Sequence, residues 1–263
     1  MRDSSAASLK DAKPPFVGRL VQASYRESHE PGHRHNAFIE ALPPIKTKED
    51  AIEELERFPK YHESERSWSP EHRSMAVQRI ANFVQPLPKF IELEQRFSRM
   101  IRNGYFARNP IEAENVKQMR EAFEGFNRRE QERLPVVRSS AAGFAIIGTS
   151  GIGKTTAVES ILSLYPQVID HTVYNGHRFI RKQMVWLKLE CPRNGSVRAL
   201  ALNFFQTVDA ILGTSFYRKF VRQRKSADDL IPDMAFLAAN LGLDVLVIDE
   251  IQRLKSASSG CDK

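Results

Sequence analysis

From Thr47 onward the apolar positions recur at helical intervals. In Lys48-Glu-Asp-Ala-Ile-Glu-Glu-Leu-Glu-Arg-Phe58, Ile52, Leu55 and Phe58 share one face, which predicts a helix from Thr47 to about His62. Ser69-Pro70-Glu71 opens a second helix, with an N-cap residue followed by proline at the first helical position. A third is expected from about Lys89 to Arg102, with Phe90, Leu93, Phe97 and Ile101 as its buried stripe, and a strongly charged fourth over residues 111–134. Between them Arg99-Met-Ile-Arg-Asn-Gly-Tyr-Phe-Ala-Arg-Asn-Pro110 reads as an aromatic turn rather than a helix.

Near Ser139 the pattern changes. Gly143-Phe-Ala-Ile-Ile-Gly148 is a short apolar run suited to a strand buried on both faces. A glycine-rich loop follows, then a helix to about Leu164, stopped by Pro166. Residues 168–190 hold strand-like runs around Asn175-Gly176, a hairpin signal, and end in the strong strand Met184-Val-Trp-Leu-Lys-Leu-Glu190. Ser196 is placed to cap a helix through about Leu212, and another helix spans about Ala227 to Leu241. Leu243-Asp-Val-Leu-Val-Ile-Asp-Glu250 is the third strand of the core. Strands alternating with helices imply an α/β fold, a parallel sheet sandwiched by helices with right-handed crossovers. The expected divisions are an extended arm over residues 1–45, rich in Pro, Ser, His and charge but carrying in Asn36–Pro44 a short apolar patch that can dock on another surface, a helical region over 46–138, and the α/β core over 139–263.

Composition narrows the classes. With 41% hydrophobic and 27% charged residues in 263, the chain is an ordinary globular sequence, not a disordered one. A formal charge of +7 permits a polyanionic partner such as DNA or RNA, and equally permits a mildly basic surface. The two cysteines, Cys191 and Cys261, have no metal-ligand spacing, and the His29, His33, His35 group in its polar segment reads as solvated. No apolar run approaches the length of a membrane helix and the N-terminus lacks a signal-peptide core, so a cytoplasmic protein with no membrane partner is expected.

The glycine-rich loop Gly148-Thr149-Ser150-Gly151-Ile152-Gly153-Lys154-Thr155, followed by Thr156, matches the phosphate-loop pattern G-x-x-x-x-G-K-[ST]. Glycines let the backbone fold into a nest of N–H groups, and the following helix adds its positive end. Lys154 is the residue for the β- and γ-phosphates of ATP, and the Thr155 hydroxyl is the residue for Mg2+. Chance alone produces the four fixed positions in about one such chain per hundred, so the predicted strand before and helix after carry part of the argument. The apolar strand ending in Asp249-Glu250 supplies the second element. Asp249 stands where a magnesium carboxylate belongs, and Glu250 where a general base would polarise the attacking water. The alternative reading is a core strand with a solvated acidic end. The basic, aromatic stretch Tyr217-Arg-Lys-Phe-Val-Arg-Gln-Arg-Lys225, and Arg178, Arg181 and Lys182 near the hairpin, are candidates for a phosphate backbone or for plain solvated faces. Tyr105 or Phe106 either approaches a nucleotide base or packs in the core.

The chain resembles the AAA+ ATPase regulators of heteromeric cut-and-paste transposons, the TnsC-type proteins with their TniB-type relatives. The resemblance rests on Asn36-Ala-Phe-Ile-Glu-Ala-Leu-Pro-Pro44, Met100-Ile-Arg-Asn-Gly-Tyr-Phe-Ala-Arg-Asn-Pro110 and Tyr165-Pro-Gln-Val-Ile169. It also rests on Glu190-Cys-Pro-Arg-Asn-Gly-Ser196 with Leu202-Asn-Phe-Phe205, and on Leu246-Val-Ile-Asp-Glu-Ile-Gln252. It implies a P-loop NTPase core of AAA+ type, ATP and Mg2+ as cofactors, and assembly on duplex DNA as a homo-oligomeric ring or filament. It further implies a link between a target-selector protein and transposase subunits. In that family a polar sensor, an arginine finger, two further strands and a helical lid follow the acidic strand. Here Lys263 lies 13 residues after Glu250, so the resemblance implies a shortened core with an exposed strand edge and weak or absent hydrolysis in isolation. Other readings are a helicase-loader type P-loop ATPase, a non-catalytic DNA-binding adaptor, and a non-functional fragment of the transposition ATPase.

Overall fold

The computed structural model describes residues 18–128, 142–221 and 225–254. In chain order its elements are β1 (Leu20–Gln22), α1 (Ala37–Glu40), α2 (Lys48–Leu55), α3 (Pro70–Val77), α4 (Pro88–Phe106), α5 (Ala113–Arg128) and α6 (Lys154–Leu162). There follow β2 (Val168–Tyr174), β3 (His177–Met184), β4 (Trp186–Glu190), α7 (Val197–Leu212), α8 (Phe216–Phe220), α9 (Ala227–Asn240) and β5 (Val245–Asp249).

The strands form two sheets. β4 and β5 pair in parallel with Lys188 opposite Val247 and Glu190 opposite Asp249. Residues opposite one another project to the same face. Trp186 and Val245 therefore face a core that includes Val158, Ile161 and Leu162 of α6 and Phe97, Ile101 and Tyr105 of α4. Leu187 and Leu189 face the other way, onto Leu200, Phe204, Phe205 and Val208 of α7 and Leu230 and Leu237 of α9. The parallel pair is thus sandwiched by helices, as the alternation of elements implies. The second sheet has the order β1-β2-β3, with β1 parallel and β3 antiparallel to β2. Asn175 (φ 49°) and Gly176 (φ 77°) close the β2–β3 hairpin, both left-handed as a two-residue turn with the right twist demands. Val185 joins the two sheets, donating its N–H to Gln167 O at 2.9 Å and accepting from Val245 N at 3.0 Å.

Several sequence expectations change. The segment Gly143–Gly148 is in no ladder among the described residues, and Ile147 is 92% exposed. An apolar run buried on both faces needs strands on both sides; this one instead passes α4, where Phe144 meets Phe97 edge-on at 5.4 Å. The expected arm is anchored at two places among its described residues, β1 and the buried run 36–42. β1 joins the sheet, and α1 buries Ala37, Phe38 and Ile39 completely or nearly so. Asn36 explains why so short a helix holds: its side chain accepts from Phe38 N and Ile39 N while donating to Tyr105 O at 2.8 Å. The aromatic turn proves to be the last part of α4, which continues to Phe106 because Ile101 and Tyr105 extend its buried stripe. In α2 the buried face is Ala51 and Leu55, while Ile52 and Phe58 are exposed. The helix ends at Leu55, before Phe58 can join the stripe. Residues 1–17, 129–141, 222–224 and 255–263, including part of the fourth predicted helix, part of the basic stretch and Cys261, lie outside the described residues.

Candidate functional site

The loop before α6 is exposed from Gly148 to Ile152, and two of its glycines take left-handed backbone, Gly151 at φ 81° and Gly153 at φ 87°. Gly153 is the N-cap of α6, and no side chain caps that end. The first-turn N–H groups of Lys154, Thr155 and Thr156 are thereby left to an anion, at the positive end of the helix. Lys154 folds back over the loop, its Nζ donating to Gly148 O and Thr149 O, both at 2.8 Å. An ammonium resting on two carbonyls is a labile arrangement that phosphate oxygens, with full charge, replace readily.

The parallel register of β4 and β5 carries Asp249 to the same end of the sheet as this loop. Its Oδ2 accepts from the Thr155 hydroxyl at 3.0 Å, across 94 positions of sequence. Its Oδ1 accepts from Glu250 N at 3.0 Å. Burial alone would raise the Asp249 carboxyl, but hydrogen bonds from Thr155 and Lys188 and the Lys188 charge bring it below its ordinary value, so it is a carboxylate at neutral pH. A hydroxyl and a carboxylate side by side form the hard-oxygen set that magnesium takes with phosphate oxygens, and the uncapped N-terminus of α6 beside them suits a phosphate. Thr149, Ser150, Ile152 and Thr156 complete the exposed surface of the loop.

Glu250 is a backbone outlier, left-handed at φ 57° although not glycine. This turn directs the chain out of the strand. Its carboxylate lies on its own turn, accepting from the Gln252 amide at 2.6 Å, with Arg253 at 3.8 Å. Arg253 in turn binds Glu190 at 2.8 Å and Cys191 O at 3.0 Å, tying the turn to the end of β4.

The site also contains Lys188, which the sequence patterns did not single out. Its signal was a lone charge between Leu187 and Leu189 in an apolar strand. Its Nζ lies 2.6 Å from Glu159 of α6 and 3.3 Å from Asp249. Burial tends to lower its ammonium, but the two carboxylates win and hold it above its ordinary value.

Residues 137–261 match the AAA domain family. The match spans the phosphate loop, α6, the β2–β3 hairpin, the β4–β5 pair and both acidic residues, so this part of the chain is a P-loop NTPase fold of AAA type. No curated protein matches the chain.

The remaining candidates scatter. Tyr105 is fully buried and donates to Gly242 O at 2.8 Å, and it therefore packs and does not stack on a base. Phe106 is exposed, with its ring 6.0 Å from His33. In the basic stretch Phe220 is buried and Lys225 pairs with Asp233, which leaves Arg218 and Lys219 on the surface among the described positions. Lys182 pairs with Asp170 at 3.2 Å while Arg178 is exposed.

Proposed function

We propose that this chain is an ATP-binding and ATP-hydrolysing regulator of DNA transposition that assembles on duplex DNA as a homo-oligomer and connects a target selector with transposase subunits. The nucleotide part rests on the Thr155–Asp249 contact at 3.0 Å beneath the open loop, within an AAA-type domain. Lys154 leaves the loop carbonyls for the β- and γ-phosphates, the loop N–H groups hold the β-phosphate, and Thr155 and Asp249 hold Mg2+. When bound, the metal neutralises phosphate charge and orients the transferred group. Glu250 polarises the attacking water once its carboxylate exchanges the Gln252 amide for that water.

The transposition part rests on the resemblance carried by the outer segments, and these segments pack against one another. Asn36 donates to Tyr105 O at 2.8 Å, Arg102 to Pro43 O at 2.6 Å and Asn109 to His35 O at 3.1 Å. Tyr105 and Arg108 then reach Gly242 O, Leu243 O and Asp244 at the entry to β5. The two N-terminal signatures therefore form one unit anchored on the strand that delivers Asp249. Such a unit relays the nucleotide state to the surface of the helical region. The test is electron microscopy of the chain with duplex DNA and a non-hydrolysable ATP analogue. Nucleotide-dependent rings or filaments on DNA support the reading. A dispersed chain that leaves DNA bare in both nucleotide states overturns it, and binding to a replicative helicase instead would favour the loader.

A further inference from the structure

We propose that Lys188 is the resident counter-ion of Asp249, and that its second carboxylate, Glu159, exists to take it over when a divalent cation arrives with nucleotide. The inference rests on the nucleotide reading above and concerns how that site is kept ready. β4 fixes the lysine backbone opposite Val247, so only the side chain moves. Its side chain is 18% exposed, and it cannot simply retreat into water. The ammonium is instead shared unequally, at 2.6 Å from Glu159 and 3.3 Å from Asp249. Thr155 donates to the same Asp249 oxygen at 3.0 Å. The charges that face this point are Lys188 from β4, Asp249 from β5 and Glu159 from α6, with Lys154 at the head of α6 turned toward the loop carbonyls. Without metal, Asp249 is neutralised and aimed by Lys188 and Thr155. A cation approaching Asp249 repels the ammonium, and Glu159 offers a position already within hydrogen-bond length. Lys188 is thus a positioning residue that sets how strongly nucleotide binding depends on magnesium.

The readout is the ratio of the nucleotide dissociation constant in EDTA to that in excess Mg2+, measured by fluorescence of a labelled ATP, with thermal melts of each variant alongside. Lys188→Met keeps the packing and removes the charge. It should raise the ratio at least about fivefold, because a neighbouring like charge is removed from the metal. Glu159→Gln strands the ammonium on Asp249 and should lower the ratio by at least about as much. Lys188→Arg, which retains the charge, should stay near the wild type. A structural role alone would move both ratios in one direction or not at all, and either result overturns the inference while leaving nucleotide binding intact. If Lys188→Met fails to fold, the direction of the Glu159→Gln ratio decides alone. A wild-type chain that binds no nucleotide in either buffer sinks the nucleotide reading itself, and this inference with it.

Discussion

Alanine at Gly153 isolates the role of backbone shape in the phosphate loop. A methyl added there would lie 3.7 Å from the Phe90 ring at its nearest, an ordinary contact, so no clash arises. The backbone is the constraint: φ is 87°, a left-handed value that costs an L-residue about 1–2 kcal/mol more than glycine. Because the loop is exposed, the strain can relax locally and the melting temperature should change little. Relaxation removes the concave arrangement of N–H groups, and nucleotide affinity should fall about 5–30-fold, the equivalent of that energy. Gly148 is the internal control. The motif treats it as equally fixed, yet its φ is not left-handed and an added methyl meets Ile152 at 3.4 Å and Lys154 at 3.8 Å, both ordinary distances. Gly148→Ala should therefore change affinity by no more than about twofold. Titration of a fluorescent ATP analogue against both variants gives the comparison. Equal losses at the two positions, or a larger loss at Gly148, would refute the argument from backbone conformation.

Glu250→Gln should retain ATP binding and abolish any phosphate release the wild type shows, since the amide cannot take the proton from water; unchanged turnover in a phosphate-release assay would remove Glu250 from the chemistry. Tyr105→Phe deletes the hydroxyl that donates to Gly242 O at 2.8 Å in a fully buried setting, and should cost about 1–2 kcal/mol in urea denaturation. His171 accepts from the Tyr25 hydroxyl at 2.8 Å and pairs with Gln183 at 2.9 Å, and burial holds it below its ordinary 6.5. The folded state thus prefers the neutral ring. Its stabilising contribution is complete above pH 6.5 and declines as pH falls below that value, by at most about 1.4 kcal/mol per pH unit. Denaturation at pH 7.5 and 5.5 should show this decline in the wild type relative to His171→Gln. Asp244, which burial pushes up to about 7 despite Arg108, is common to both and cancels.

The core helices and strands were legible because their signals are local. Ser196 and Ser226 cap α7 and α9 through their own hydroxyls, and Asn175-Gly176 sets its turn by backbone preference. The phosphate-loop pattern and Asp249 stand out as candidates for a similar reason, glycine, lysine, threonine and acid each being in a fixed pattern, and the structure brings Thr155 and Asp249 together. What failed depended on partners distant in sequence. The apolar run at Gly143 looks the same whether or not strands flank it, and periodicity cannot supply the neighbour. The segment around Phe38 reads as a short apolar patch in a polar arm, suited to docking, but the surface it docks on is not written in it. Its burial depends on Tyr105, whose ring meets Phe38 at 5.2 Å across the fold. Lys188 was missed because its meaning comes from Glu159 and Asp249 together, residues brought to it by α6 and by parallel register.

Gly148–Thr155 and Asp249 are proposed to form one nucleotide site. Equilibrium titration of a fluorescent ATP analogue against the wild-type chain and Lys154→Ala, in excess Mg2+, tests it most directly. The wild type should bind saturably and the variant at least about tenfold more weakly, because the Lys154 ammonium is the one side-chain cation poised on the loop carbonyls among the described residues. Equal affinity in the two proteins, or no binding by a folded wild type, would contradict it.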